Sequence, residues 1–102
     1  MHKPVMLEEV LEPLGPRDQE TYIDATFGVG GYSRAILDKA NCSVIALDRD
    51  PEAAQRARPL LQNYPDRFSF YEGRFGDMER LVPGKEYDGI VFDIGVSSPQ
   101  LD

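Results

Sequence analysis

Apolar and polar positions along the chain switch between a helical and an extended period. Residues 4–14 place Val5, Met6, Leu7, Val10, Leu11 and Leu14 near helical spacing, with Glu8, Glu9 and Glu12 between them, which predicts a first helix. Gly15-Pro16-Arg17-Asp18 ends it. Residues 21–26 read as a short strand, 27–32 as a glycine-rich turn and 33–39 as a helix with Ala35, Ile36 and Ala40 on its apolar side. Residues 42–48 form a second apolar strand pattern. Asp50 stands where a helix N-cap belongs and Pro51 suits a first helical turn. Ala53, Ala54, Ala57, Leu60 and Leu61 carry that helix toward Asn63. A third strand is predicted over 67–71, a short helix over 76–82 and a fourth strand over 87–93.

Strands alternating with helices predict parallel βαβ units with right-handed crossovers. The expected fold class is α/β and Rossmann-like, with about four strands and helices on both faces. A doubly wound sheet continues past a fourth strand. Residues 1–102 are therefore expected to be the N-terminal part of a larger domain. The fourth strand is expected to be left as an open edge, which permits pairing between copies and hence a dimer.

Composition narrows the classes. Hydrophobic residues make up 41% of the 102 positions, enough for a globular core, and no apolar run reaches the length of a membrane span. The start, Met1-His2-Lys3-Pro4, lacks a secretory stretch. One cysteine, Cys42, and one histidine make neither an internal disulfide nor, by themselves, a zinc site. A reducing cytoplasm is the expected compartment. The formal net charge of −7 opposes a polyanion, so any grip on nucleic acid is expected from residues elsewhere in a longer chain.

The candidate chemistry lies at strand ends. Asp24-Ala25-Thr26-Phe27-Gly28-Val29-Gly30-Gly31-Tyr32-Ser33 follows a strand and opens a helix. Glycines there let the backbone turn sharply and approach a ligand. The dinucleotide fingerprint requires Gly-x-Gly-x-x-Gly; here Ser33 replaces the last glycine, and acidic Asp24 opposes a pyrophosphate. Asp48 ends the next strand about 20 residues beyond the loop, where an acidic side chain accepts ribose hydroxyls. Loop and aspartate together indicate an adenosine-containing ligand, either a nicotinamide dinucleotide or S-adenosylmethionine. Asp93 to Gln100 follows the fourth strand and belongs at the same carboxyl edge. Asp93 can accept a hydrogen bond or proton from a reacting amine; it can equally tie down a turn before Pro99. Gln100 can hydrogen-bond a base or an amino-acid group. Phe75 can stack on an adenine face or sit in the core.

These residues resemble the bacterial small-subunit ribosomal RNA cytosine-N4 methyltransferases of the MraW type. The resemblance runs from His2 to Val10 through Asp24–Ser33 and Ala46–Pro51 to Asp88–Asp102, and the ending Gly-Val-Ser-Ser-Pro-Gln-Leu-Asp is its most specific string. It implies a class I methyltransferase sheet, S-adenosylmethionine as cofactor, and 16S ribosomal RNA or the small subunit as partner, held mainly by a helical insertion beyond this chain. It implies that Gly28, Gly30, Gly31 and Tyr32 lie along the cofactor, that Asp48 takes the ribose, that Phe75 lies near adenine, and that Asp93 and Gln100 complete the pocket. Tyr32 stands where the family often has His, and Arg74 where a small polar residue is common. The implied reaction is methyl transfer to the exocyclic N4 amine of a cytidine, with Asp93 as the catalytic acceptor. The rivals are an NAD-dependent oxidoreductase, a non-catalytic adenosine-binding module, and a DNA amino-methyltransferase, whose usual Pro-Pro-aromatic motif is absent.

Overall fold

The computed structural model describes residues 7–84, 86–92 and 95–97. Ten elements follow one another: α1 (Leu7–Leu14), β1 (Thr21–Asp24), α2 (Gly31–Lys39), β2 (Ser43–Asp48), α3 (Ala53–Asn63), β3 (Phe68–Glu72), a 3-10 turn (Phe75–Asp77), α4 (Met78–Leu81), β4 (Gly89–Phe92) and β5 (Gly95–Ser97). The strands form one sheet in the order β3-β2-β1-β4-β5. β1 lies parallel between β2 and β4, with Ile23 opposite both Ile45 and Ile90, and β2 lies parallel to β3.

β5 corrects one expectation. The fourth strand is not an open edge: β5 runs antiparallel beside it, pairing Ile90 with Ser97 and Val91 with Val96. Only two residues separate β4 from β5 in sequence, and so short a connection admits an antiparallel neighbour but not a parallel one. Gly95-Val96-Ser97 has the polarity of a loop, which is why its pattern predicts no strand.

Each central strand buries both faces, so its sequence is a continuous apolar run rather than an alternation. Tyr22, Val44, Ala46 and Val91 point to one side, where they pack with Leu14 of α1, Ile36 and Leu37 of α2, and Ala53, Ala57 and Leu60 of α3. Ile23, Ile45, Leu47 and Ile90 point to the other side and meet Met78 and Leu81 of α4. Helices therefore cover both faces, as expected. Phe27 fills the space under the glycine-rich turn. Its ring lies 5.8 Å from that of Phe68 and 5.6 Å from that of Phe70.

Polar ties close the ends. The Arg67 guanidinium donates to the carbonyls of Leu37 and Ala40 at the C-terminal end of α2, where a helix leaves carbonyls unpaired, and to that of Cys42 just before β2. The Asp88 carboxylate accepts from Thr21 N–H at 2.9 Å across 67 residues of sequence, which fixes β4 beside β1. At α3, the cap position is taken by Glu52 rather than Asp50. Asp50 acts one step earlier: its carboxylate accepts from Glu52 N–H and its carbonyl from Ala53 N–H, both at 2.9 Å.

Candidate functional site

The carboxyl ends of β1, β2 and β3 converge. β1 delivers Asp24, which is fully buried. Its Oδ2 accepts from the Ser33 hydroxyl at 2.6 Å, joining the strand end to the first turn of α2. Burial pushes the Asp24 carboxyl up to about 6, with the Ser33 hydroxyl pulling the other way. Asp24 Oδ1 and Thr26 Oγ1 are buried with no hydrogen-bond partner among the described residues. Such groups are rare in folded proteins and call for a partner.

The chain then turns through Gly28 at φ +59° and Gly30 at φ +90°, a region that only glycine enters freely. Gly30 is also constrained by space, because a Cβ there would stand 2.8 Å from Cζ of Phe27. α2 begins at Gly31, and Tyr32 packs half-buried against the core of the helical face.

β2 delivers Asp48. One carboxylate oxygen accepts from Gly28 N–H at 2.7 Å and the other from Asp50 N–H at 2.9 Å. The Asp48 carbonyl accepts from Gly73 N–H at 2.8 Å, which draws the end of β3 alongside. The Arg74 N–H then donates to the Asp77 carboxylate at 2.9 Å, and this turn presents Phe75. The Phe75 ring is 39% exposed and meets Tyr87 edge-on, with centroids 5.9 Å apart.

A cleft of about 260 Å³ opens between these strand ends, lined by Ala25, Thr26, Asp48, Arg49, Arg74 and Phe75. Asp48 and Phe75 therefore share one cleft, and Gly28 is hydrogen-bonded to Asp48 at its edge. Gly30, Gly31 and Tyr32 shape the loop and the helix start rather than the cleft lining. Asp93 and Gln100 lie outside the described residues. Sequence reasoning missed Thr26, Arg49 and Arg56. Thr26 and Arg49 sit directly beyond strand ends, which is their only signal. Arg56 carries none: its spacing on α3 is that of any solvated helix arginine.

The donor set suits an adenosine group with a cationic tail. A carboxylate has about four acceptor sites, so Asp48 retains capacity for hydroxyl donors after its two backbone bonds. Phe75 offers an aromatic face. Asp24 places a buried acid under the loop, against a pyrophosphate. Among the described residues no group of three or more His, Cys, Asp or Glu can hold a metal ion, and no described helix is long and apolar enough to cross a membrane.

Residues 1–102, the whole chain, match the model of the MraW methylase family. The chain belongs to this family. The MraW-family sequence is 56% identical over 101 residues to a ribosomal RNA small subunit methyltransferase H of Rickettsia massiliae, covering 99% of this chain and 33% of that protein. It spans about a third of the length of the curated relatives it matches. Among solved structures it is similar to a dimethyladenosine transferase from Plasmodium falciparum (TM-score 0.71, 16% identity, 92% of this chain and 33% of that one). It is also similar to a geranyl diphosphate methyltransferase in complex with SAM (TM-score 0.60, 20% identity, 69% of this chain and 29% of that one). At those identities the likeness is one of fold, a Rossmann-like methyltransferase sheet.

Proposed function

We propose that residues 1–102 are the cofactor-binding part of an S-adenosylmethionine-dependent methyltransferase that modifies the exocyclic N4 amine of a cytidine in 16S ribosomal RNA. The observation that carries this reading is the cleft whose lining Asp48, bonded to Gly28 of the glycine loop, shares with Phe75 in a chain of the MraW family. Asp48 accepts the ribose hydroxyls, Phe75 lies against adenine, and Gly28, Gly30, Gly31 and Tyr32 form the loop beside the methionyl part. The cofactor supplies an electrophilic methyl group on a sulfonium. The similarity to proteins named for the small ribosomal subunit supports ribosomal RNA as partner, gripped mainly by residues beyond this chain because the net charge here is −7. A cytoplasmic location follows from that partner.

The target amine is a weak nucleophile, since its lone pair is delocalised into the ring. The protein's task is to fix its geometry and to accept a hydrogen bond as charge develops. Asp93 is the proposed acceptor and Gln100 a proposed cofactor contact; both roles rest on the family resemblance. The buried Asp24–Ser33 pair under the loop favours this reading over a nicotinamide dinucleotide.

Calorimetric titration of S-adenosylmethionine and NAD into the full-length protein tests the proposal. S-adenosylmethionine should bind and NAD should not, and Asp48→Ala should weaken binding about tenfold or more, equivalent to about 1.4 kcal/mol. NAD binding in its place refutes the methyltransferase reading. The position modified is read by mass spectrometry of nucleosides from treated small-subunit RNA; methylation elsewhere than cytidine N4 refutes the assigned target.

A further inference from the structure

Arg56 lies on α3 with a third of its side chain exposed, where a lone ion pair is worth little. Its contacts are more specific than that. Nε–H donates to the carbonyl of Gly28 at 2.7 Å, and the same guanidinium pairs with Asp50 at 3.1 Å. Both backbone groups of Gly28 are thus taken by side chains from one distant segment: its N–H by Asp48 and its carbonyl by Arg56. Asp50 N–H returns to the other oxygen of Asp48 at 2.9 Å. Gly28, Asp48, Asp50 and Arg56 form a closed ring of hydrogen bonds around the tip of the glycine loop.

We propose that Arg56 is a positioning residue for the ribose end of the cleft, acting through Gly28 to hold the Asp48 carboxylate in one orientation. Gly28 sits in a left-handed conformation with no side chain to anchor it, so its two polar groups are its only handles. Holding the carbonyl holds the N–H, and the N–H bonds Asp48 Oδ2. A guanidinium is suited to this because its rigid fork spans a carbonyl and a carboxylate at once; a lysine ammonium is a single point charge. Without Arg56 the Asp48 carboxylate must be ordered when the ribose hydroxyls bind, and affinity for them falls by that cost. The inference rests on the reading of Asp48 as the ribose acceptor.

The test is calorimetry on the full-length protein with S-adenosylhomocysteine and its 2′-deoxy analogue, for the wild type, Asp48→Asn, Arg56→Gln and Arg56→Lys. The wild type should prefer the ribose compound by about tenfold, because the deoxy compound leaves the Asp48 carboxylate without the hydroxyl it accepts from, and Asp48→Asn, which removes the charged acceptor, should abolish the preference. Arg56→Gln should weaken the ribose compound about five- to tenfold, leave the deoxy compound nearly unchanged, and shrink the preference to about twofold; Arg56→Lys should recover part of it. A loss that falls equally on both ligands, or no loss, makes Arg56 merely structural and overturns the inference. Should Arg56→Gln not fold, Arg56→Lys decides alone: a reduced preference supports the role and an unchanged one overturns it. Failure of the wild type to bind either compound, or a preference that survives Asp48→Asn, brings down the reading of Asp48 itself and the inference with it.

Discussion

Replacing Gly30 with alanine should destabilise the protein by two separable effects. The first is conformational: φ is +90°, and a residue with a Cβ pays about 1–2 kcal/mol to enter the left-handed region. The second is steric. The new Cβ would stand 2.8 Å from Phe27 Cζ and 3.2 Å from its Cε1, closer than carbon atoms pack. Phe27 has nowhere to retreat, being 2% exposed and bracketed by the rings of Phe68 and Phe70. Overpacking of this kind adds about 1–3 kcal/mol, for a total of about 2–5 kcal/mol. Two other glycines separate the effects. Gly84 has φ +71° but nothing within 4 Å of an added Cβ, so Gly84→Ala should cost only the conformational part. Gly76 has neither a positive φ nor a neighbour within 4 Å, and Gly76→Ala should stay within about 0.5 kcal/mol of the parent. Equilibrium urea unfolding of the three variants measures the order. The reasoning fails if Gly30→Ala loses no more than Gly84→Ala, because the contact with Phe27 would then carry no cost.

Two further outcomes follow from buried polar groups. Burial raises the Asp24 carboxyl from 3.8 to about 6, so between those values the folded protein holds a proton that the unfolded chain has released. Its contribution to stability is full below pH 3.8 and is lost as pH rises through 6. Asp24→Asn, which keeps an acceptor for Ser33, should therefore raise stability at pH 8 by up to about 3 kcal/mol and flatten the unfolding free energy between pH 4 and 6; a variant less stable at pH 8 contradicts this. Arg67→Ala removes the donor to three carbonyls and the cation over the Tyr64 ring. It should cost about 2–4 kcal/mol and speed amide exchange first at the C-terminal end of α2, whereas exchange unchanged there would mean that water replaces the guanidinium at no cost.

The elements most legible in the sequence were those whose pattern follows from burial. β1, β2 and β4 are apolar runs because both their faces are covered, and a run such as Ser43–Asp48 has no other plausible state. Strand ends were legible too. Asp48 and the glycine loop sit where parallel sheets bind ligands, and the structure joins them by a hydrogen bond. What stayed hidden depends on partners far along the chain. β5 is a strand only because β4 offers it an edge; its three residues have no period of their own. Arg56 looks like a solvated helix residue until α3 is docked beside Gly28. The start of α3 moved because Asp50 closes a turn before the helix rather than capping it. Asp93 and Gln100 rest on motif alone.

The order of strands in the sheet also sets an order of assembly. β1, β2 and β3 pair with near neighbours in sequence, and every residue lining the cleft, from Ala25 to Phe75, precedes β4 in the chain. The pairing of β4 with β1 closes a span of 67 residues. Such a closure carries the larger entropy cost and belongs to the slow part of folding. A growing chain can therefore build the β3-β2-β1 side, with its glycine loop and Asp48, as an early unit whose exposed flank is the β1 edge. The docking of β4 opposite Asp24 is the step that ends that exposure, so the chain is most open to mispairing between the formation of the β3-β2-β1 unit and that docking.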